Sequence, residues 1–398
     1  MDLPSDASAP AATPEVAVAV PVVAAPEKVS WRRKVLTFPL ALFVFSRIAY
    51  LGMSFMGMEL VPTLFMHDYG RNPFMQKYPA LDGLCRWDCG WFVRVVQEGY
   101  SDLQHAAVCP LFPAIGWAVE RYTGLHHVFV FLILANGASL ASYYVVYQLF
   151  REVDGDDAAR WGLLLFAAYP FAYYQAAGYA ESTVVLTTAG AMLLARRKHW
   201  FWAGIVLGIG ILGRQLALLG GAGMLAIYIR QRGLNWKKLL LDPSLFGLVI
   251  PWLFIGGFAW YLSVVLGDPL AFLKGRNVGW NEWVWYSVRQ ILMYVPYAER
   301  PEYFYYVAFV TVPTLGAAML CFRKRYFELA ACGVAMMAVT VSIGCVALGR
   351  YSATAWPCYL PMGLWLSRRP ALAGPVIAMF MLFQGFFFFL FSHQFRIL

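Results

Sequence analysis

One carboxylate in this sequence stands where it could take part in chemistry. Asp88 follows Arg86 and Trp87 and opens a short segment whose apolar residues repeat on one face of a helix. On a membrane surface, a carboxylate at the start of such a segment can meet the polar end of a lipid. Asp is also favoured at the N-terminus of helices, so a purely structural role for Asp88 stays open.

Three further charges border or interrupt apolar runs. Arg214 lies inside the run Ala203–Ile229, and Glu181 and Arg350 stand near the ends of other runs. A charge in an apolar membrane segment is costly unless it is paired or its side chain reaches the interface. All three are therefore candidate site residues. The alternatives are a turn residue that reaches the interface for Arg214 and a simple turn charge for Glu181.

The composition indicates a membrane protein. Of the 398 residues, 61% are hydrophobic and 13% are charged, whereas soluble domains carry about 25% charged residues. So few charges exclude a soluble enzyme, a disordered chain and, despite the net charge of +9, a nucleic-acid-binding domain. The run Ala371–Ser392 contains no charge and is long enough to span a bilayer. The predicted fold class is an all-α polytopic membrane protein.

The apolar runs predict about eleven spans after a disordered tail at 1–30. The tail is rich in Ala, Val and Pro and lacks the basic segment that opens a signal peptide. Residues 31–398 then form one transmembrane domain. Its spans are predicted at 35–56, 127–150, 160–179, 182–195, 200–213, 215–230, 244–266, 304–321, 327–347, 354–367 and 371–391.

The basic residues predict the orientation of these spans. With the N-terminus in the cytoplasm, most of the 31 Lys and Arg residues fall in short cytoplasmic loops, as the positive-inside rule requires. Two long segments, 57–126 and 267–303, then lie outside the cytoplasm. The sequence contains no G-x-x-x-x-G-K-[ST] motif, which disfavours an ATP-driven transporter. Chemistry is therefore expected on the extracytoplasmic side.

The first long loop contains two membrane-hugging segments. The stripe formed by Trp91, Phe92, Val95 and Val96 predicts an interfacial helix after Asp88. The prolines of the segment 108–113 break regular helix. Three cysteines also lie in this loop, and a disulfide among them is left open; they are Cys85, Cys89 and Cys109. The pair His126-His127 favours a capping or interfacial role over a metal site.

The order of several short motifs resembles a known family. The motifs are Trp87-Asp88-x-x-Trp91-Phe92, Glu98-Gly99-Tyr100, Pro110-Leu111-Phe112-Pro113, Tyr179-Ala180-Glu181-Ser182, Gly267-Asp268-Pro269-Leu270-Ala271-Phe272 and Gly349-Arg350-Tyr351. This series resembles the PIG-V family, the second mannosyltransferase of GPI-anchor synthesis, and its bacterial relatives. These are membrane glycosyltransferases of the GT-C superfamily. The chain departs from the family at 212–216, where Thr-Arg-Pro-x-Gly is common, and at Cys109, where an aromatic residue is common.

The resemblance implies a reaction with assigned roles. Mannose would pass from a polyprenyl-phosphate donor to an acceptor hydroxyl outside the cytoplasm, with inversion of configuration. Asp88 matches the family's general base in the first long loop, and Arg86 is its candidate partner. Asp82 and Asp102 are weaker candidates and are expected to be solvated loop charges.

The leaving lipid phosphate requires a fixed cation, and arginine suits phosphate through its planar fork. The candidate cations are Arg214, Lys274, Arg276 and Arg350, although Lys274 and Arg276 fit a solvated role equally well. Glu181 is expected to bind sugar, to orient a partner of Asp88 or to pair with Arg214. Trp87, Trp91 and Tyr351 complete the predicted substrate site.

No cofactor is required and no metal site is predicted, because a lipid phosphate leaves without a nucleotide diphosphate. A metal held by Asp88 and Glu181 remains open. The expected partners are the bilayer, the polyprenyl-phosphate donor and a lipid or glycan acceptor. The expected location is a bacterial inner membrane, with the endoplasmic reticulum as the alternative. Competing functions are a GT-C transferase for another sugar, a lipid-linked-sugar transporter or flippase, and a non-catalytic scaffold.

Overall fold

The protein is helical throughout the part of the chain that the structure describes. This computed structural model describes residues 31–60, 74–280, 302–343 and 347–393, and no strand occurs within them. The predicted tail at 1–30 lies outside the described residues. The same holds for 61–73 in the first long loop and for 281–301 in the second.

Seventeen α-helices are described in these ranges. The first nine are α1 (Trp31–Leu60), α2 (Pro79–Asp82), α3 (Asp88–Glu98), α4 (Leu103–Ala106), α5 (Leu111–Thr123), α6 (His127–Ala168), α7 (Glu181–Arg196), α8 (Trp200–Gly213) and α9 (Gly220–Arg232). The others are α10 (Trp236–Leu241), α11 (Phe246–Leu266), α12 (Ala271–Trp280), α13 (Glu302–Cys321), α14 (Phe327–Ile343), α15 (Leu348–Ser352), α16 (Tyr359–Ser367) and α17 (Pro370–Ser392).

Four helical segments are long and apolar enough to cross a membrane, so the chain is an integral membrane protein. They are Thr37–Leu60, His127–Ala168, Pro243–Leu266 and Pro370–Ser392. The predicted count of eleven spans is not confirmed. The reason is length: α8 coincides with the predicted span 200–213, yet its 14 residues rise only about 21 Å. The hydrocarbon core of a bilayer is about 30 Å thick.

The structure differs from the prediction at the spans 127–150 and 160–179. Both begin within α6, whose two helical parts meet at Gly155 with φ +87°, a conformation that glycine adopts without strain. The second part ends at Ala168, and 169–180 forms turns around a short 3₁₀ helix, Ala172–Gln175. This turn segment leads directly into Glu181.

The apolar face of α3 packs against protein. Phe92 is 6% exposed, and its ring lies 5.3 Å from that of Phe112 and 5.7 Å from that of Phe131. Arg94 and Glu98 are exposed on the opposite side. The predicted amphipathic helix is thus present, but its stripe enters the core instead of the lipid interface. This packing fixes the start of α3, where Asp88 lies.

Aromatic side chains of α17 support the turn segment 169–180. Phe387 stacks on Phe171 with ring centroids 5.0 Å apart, and Phe391 lies 5.3 Å from Tyr173. Phe387 and Phe388 are buried, although the phenylalanine run 386–389 reads as lipid-facing in the sequence. The turn segment therefore rests on a rigid aromatic layer.

Glycines bring α8 and α11 into backbone contact. A Cβ atom on Gly204 would lie 2.5 Å from the carbonyl oxygen of Gly247, and one on Gly247 would lie 2.4 Å from that of Trp200. Small residues permit such close approach between membrane helices. Because Arg214 directly follows α8, this contact also fixes the position of Arg214.

We predict that Gly247→Ala destabilises the protein by about 1–3 kcal/mol, the typical cost of overpacking. The added methyl group meets backbone atoms, so the two helices must separate. Gly257→Ala in the same helix is the matched control, because its Cβ would meet nothing within 4 Å. Thermal unfolding in detergent measures both variants. Equal melting temperatures for the two variants would contradict the proposed contact.

Candidate active site

Four charged side chains from distant parts of the sequence meet in one cluster. Arg350 Nη1 lies 2.7 Å from Asp88 Oδ2, and Arg350 Nε lies 3.0 Å from Glu181 Oε1. Arg214 Nη1 lies 2.7 Å from the same Glu181 oxygen and 3.7 Å from Asp88 Oδ2. Each arginine therefore bridges both carboxylates. We call these four residues the charge cluster.

Helix ends position the members of the charge cluster. Asp88 and Glu181 lie in the first turns of α3 and α7, where the helix dipole stabilises negative charge. Arg214 follows the last residue of α8 in an extended conformation, and Arg350 lies in the short helix α15. The charges thus stand at helix ends, and the apolar helix bodies keep them together.

Exposure differs among the four side chains. Glu181 is fully buried, Arg350 and Arg214 are 9% and 14% exposed, and Asp88 is 19% exposed. Both arginines approach the Asp88 carboxylate at Oδ2. Asp88 is therefore the member whose carboxylate a substrate can reach.

Two tyrosines support the charge cluster. The Asp88 backbone N–H donates to Tyr179 Oη at 3.1 Å, and Arg214 Nη2 donates to Tyr351 Oη at 3.2 Å. The guanidinium of Arg350 lies over both rings, at 5.4 Å from each centroid. Such cation–π contacts hold a guanidinium at a fixed place. Tyr179 thereby links the turn segment 169–180 to Asp88.

The backbone before Asp88 has an uncommon conformation. Trp87 adopts φ +50° and ψ −106°, a region that non-glycine residues rarely occupy and that is often found at functional sites. A disulfide joins Cys85 to Cys89 and encloses Arg86, Trp87 and Asp88. Cys109, the third cysteine of this loop, is free. The disulfide restricts where Asp88 can point.

Buried polar atoms without partners lie beside the charge cluster. Trp87 Nε1, Ser182 Oγ and Glu181 Oε2 are buried, and none has a hydrogen-bond partner among the described residues. Unpaired buried polar atoms cost free energy and are uncommon in folded proteins. Their concentration next to Asp88 and Glu181 indicates a site that a polar ligand or water completes.

Burial also changes the acidity of Glu181. It raises the pKa of this carboxyl to about 7, against the opposing influence of the Arg350 guanidinium. The charge cluster is neutral when Glu181 is ionised and carries one net positive charge when Glu181 is protonated.

The structure places the remaining predicted residues elsewhere. Arg86 is buried, with Nη1 2.7 Å from Asp82 Oδ1 and Nε donating to the Ser392 carbonyl. The expectation that Asp82 is a solvated loop charge is thus wrong, because its side chain is 1% exposed. Trp91 packs partly buried against the core. Lys274 pairs with Asp268, and Arg276 donates to Gln215.

A second group of polar residues lies at the start of α6. His127 Nδ1 lies 2.7 Å from Glu120 Oε2, and His126 accepts from the Val128 N–H as the predicted cap of the helix. Ligand atoms of Glu120, His126 and His127 lie within 4.8 Å of one another, close enough for a metal ion. In the charge cluster, by contrast, the two guanidinium groups would repel a cation between Asp88 and Glu181.

Sequence reasoning missed the contributions of Tyr179 and Ser182. Both belong to the Tyr-Ala-Glu-Ser motif, but only Glu181 was singled out there. The tyrosine precedes the acid by two residues in a tight turn, which places its hydroxyl against α3. The motif itself carries the signal, because it includes the tyrosine two residues before Glu181 and the serine directly after it.

We predict that Arg350→Gln destabilises the protein by roughly 3 kcal/mol, because it leaves a buried carboxylate short of a partner. Lys274→Gln is the control, since Lys274 pairs with Asp268 on the surface and its side chain is 59% exposed. The control should change stability by less than about 1 kcal/mol. Unfolding in detergent, followed by circular dichroism, tests both, and equal losses would argue against a tightly coupled cluster.

Comparison with known proteins adds distant likenesses. No family model and no curated protein matches the chain. Three structures of the Archaeoglobus fulgidus oligosaccharyltransferase, also called AglB, resemble it at 12–14% identity and TM-scores of 0.42, 0.45 and 0.46. They are a complex with Zn and sulfate, one with an inhibitory peptide and a dolichol-phosphate, and one with a tethered acceptor peptide. The matches cover 89–92% of this chain but only 53–56% of the archaeal protein. The chain thus spans about half the length of that protein, and a likeness this distant decides neither family nor activity.

Proposed function

We propose that the protein is a membrane glycosyltransferase with its active site at the charge cluster. It moves mannose from a polyprenyl-phosphate donor to a hydroxyl of a lipid-linked or glycan acceptor, with inversion at the anomeric carbon. One observation carries this proposal: a partly exposed carboxylate, Asp88, stands within ion-pair reach of two arginines, Arg214 and Arg350. The sugar identity rests on the PIG-V-like motif series.

Asp88 supplies the general base. The acceptor hydroxyl must lose its proton as it attacks, and a base must lie within hydrogen-bond reach of it. Oδ2 of Asp88 lies 2.7 Å from Nη1 of Arg350, so the carboxylate is held in place by an ion pair. The Asp88 carboxylate is then the group that accepts the proton. Tyr179 and the disulfide between Cys85 and Cys89 hold the backbone around Asp88.

Arg214 and Arg350 stabilise the leaving phosphate. Negative charge grows on the lipid phosphate as the glycosidic bond breaks, and preorganised cations lower the energy of that state. The planar guanidinium suits two phosphate oxygens at once. Burial raises the pKa of the Glu181 carboxyl, and protonation of this group would give the charge cluster one net positive charge opposite the single negative charge of a phosphodiester donor.

The proposal includes a location. Basic residues concentrate in the short loops that do not contain Asp88 or Glu181, so the positive-inside rule places the charge cluster outside the cytoplasm. A bacterial inner membrane is the proposed location, and a lumenal site in the endoplasmic reticulum is the alternative. A donor held in the bilayer reaches this face without a soluble nucleotide.

We predict that Asp88→Asn lowers mannose transfer by at least about a hundredfold, the usual contribution of a general base. The purified protein is incubated with polyprenyl-phosphate mannose and a panel of lipid acceptors, and mass spectrometry identifies the product. Asp102→Asn is the matched control. Its side chain is 56% exposed, and its contacts are local to α4: it accepts from the His105 N–H and lies 3.8 Å from His105 Nδ1, so turnover should persist.

Two results would overturn the assignment. Turnover retained in Asp88→Asn would remove the base, and a wild-type protein that moves intact donor across vesicles without transfer would indicate a transporter. A product with another sugar would keep the reaction class and correct the donor.

We predict that Arg214→Gln lowers kcat by about a hundredfold, because the interaction is strongest when the phosphate leaves. Arg214→Lys should recover part of the loss, since it restores the charge without the fork. The exposed Arg121 on α5 is the control position, and Arg121→Gln should leave the rate unchanged. An unchanged kcat in Arg214→Gln would contradict a phosphate role.

A further inference from the structure

A cavity of about 390 Å³ lies at the far end of α16 from the charge cluster. Arginines at three positions line it: Arg323 after α13, and Arg368 and Arg369 after α16. Leu364 and Trp365 form part of its apolar wall. The cavity lining thus combines cationic and apolar groups, and none of the described residues that line it is acidic.

The three arginines differ from other arginines on the same predicted side of the membrane. Arg196, Arg230 and Arg325 each pair with a carboxylate, from Glu328 or from Asp154, and Arg197 and Arg232 also pair with acids. Within the described ranges, the cavity arginines have no acidic partner. Their positive charge is therefore uncompensated by the protein.

Contacts with neighbouring residues orient two of the three guanidinium groups at the cavity. Arg369 lies over the ring of Trp365 at 4.2 Å and donates to the Trp365 carbonyl at 3.1 Å. Arg323 lies near the ring of Tyr326, at 5.9 Å. Tyr326 itself is held by Asp154. The aromatic rings thus hold two guanidinium groups beside an apolar recess.

The sequence prediction places this cavity at the cytoplasmic surface. Arg323, Arg368 and Arg369 belong to the basic loops that the positive-inside rule assigns to the cytoplasm. The inner leaflet carries anionic lipids, and basic pockets between membrane helices bind their headgroups. The positive-inside rule alone explains why exposed arginines occur in these loops. It does not explain why three of them line the same cavity.

We propose that this cavity binds the phosphate of an anionic phospholipid headgroup, with the acyl chains along the apolar wall. The bound group is a phosphate, and we assign it to a lipid of the adjacent leaflet. Several neighbouring guanidinium groups can donate to two or more phosphate oxygens. This proposal is independent of the proposed transferase activity.

Native mass spectrometry of the full-length protein in a neutral detergent tests the proposal with phosphatidylglycerol and phosphatidylcholine as probes. The variant carries Arg323→Gln, Arg368→Gln and Arg369→Gln. The matched control carries Lys198→Gln, Lys237→Gln and Lys324→Gln, which removes the same charge from exposed positions of the same predicted side. We expect the cavity variant to bind phosphatidylglycerol at least about tenfold more weakly than the wild type.

The control variant should bind phosphatidylglycerol like the wild type, and phosphatidylcholine binding should be weak in all three proteins. Equal losses in both variants would show diffuse charge attraction and overturn the proposal, as would an unchanged cavity variant. Inorganic phosphate is added as a competitor. Displacement of the lipid by millimolar phosphate would identify a soluble phosphate ligand and overturn the lipid assignment. Circular dichroism confirms that the variants fold.

Discussion

The burial of Glu181 is the constraint on which the site depends. A fully buried carboxylate needs compensating charge, and here Arg214 and Arg350 both provide it at Oε1 of Glu181. The same two arginines reach Asp88. The starts of α3 and α7, the end of α8 and the helix α15 must therefore converge. A displacement of any one would leave charges unpaired in an apolar bundle.

The surrounding structure holds these helix ends in place by packing. Aromatic side chains of α17 support the turn segment 169–180, and glycines let α8 approach α11. The disulfide before α3 limits the freedom of Asp88. Rigid apolar elements thus carry a small polar centre, which suits a reaction that depends on fixed charges rather than on rearrangement.

The sequence predicted the all-helical class and several helix positions, although not the span count, because apolar runs and turn residues are local properties. The helix α8 coincides with a predicted span, and Asp88 opens α3 as the stripe indicated. Partners distant in sequence could not be predicted in this way. Arg86 seemed suited to Asp88 by proximity, yet it pairs with Asp82, whereas Arg350 comes from 262 residues further along the chain. Whether a helix contacts lipid or protein also depends on distant neighbours, as the buried face of α3 shows.

Arginines occupy two contrasting electrostatic settings in this protein. In the charge cluster they are nearly buried and shared between carboxylates. An anion that entered the cluster would compete with Asp88 and Glu181 for them. At the opposite end of α16, Arg323, Arg368 and Arg369 are exposed and have no acidic partner in the described chain. The first setting suits transient stabilisation of charge that appears during a reaction, because the arginines regain their carboxylates afterwards. The second suits lasting attraction of an anion, because nothing in the protein replaces it.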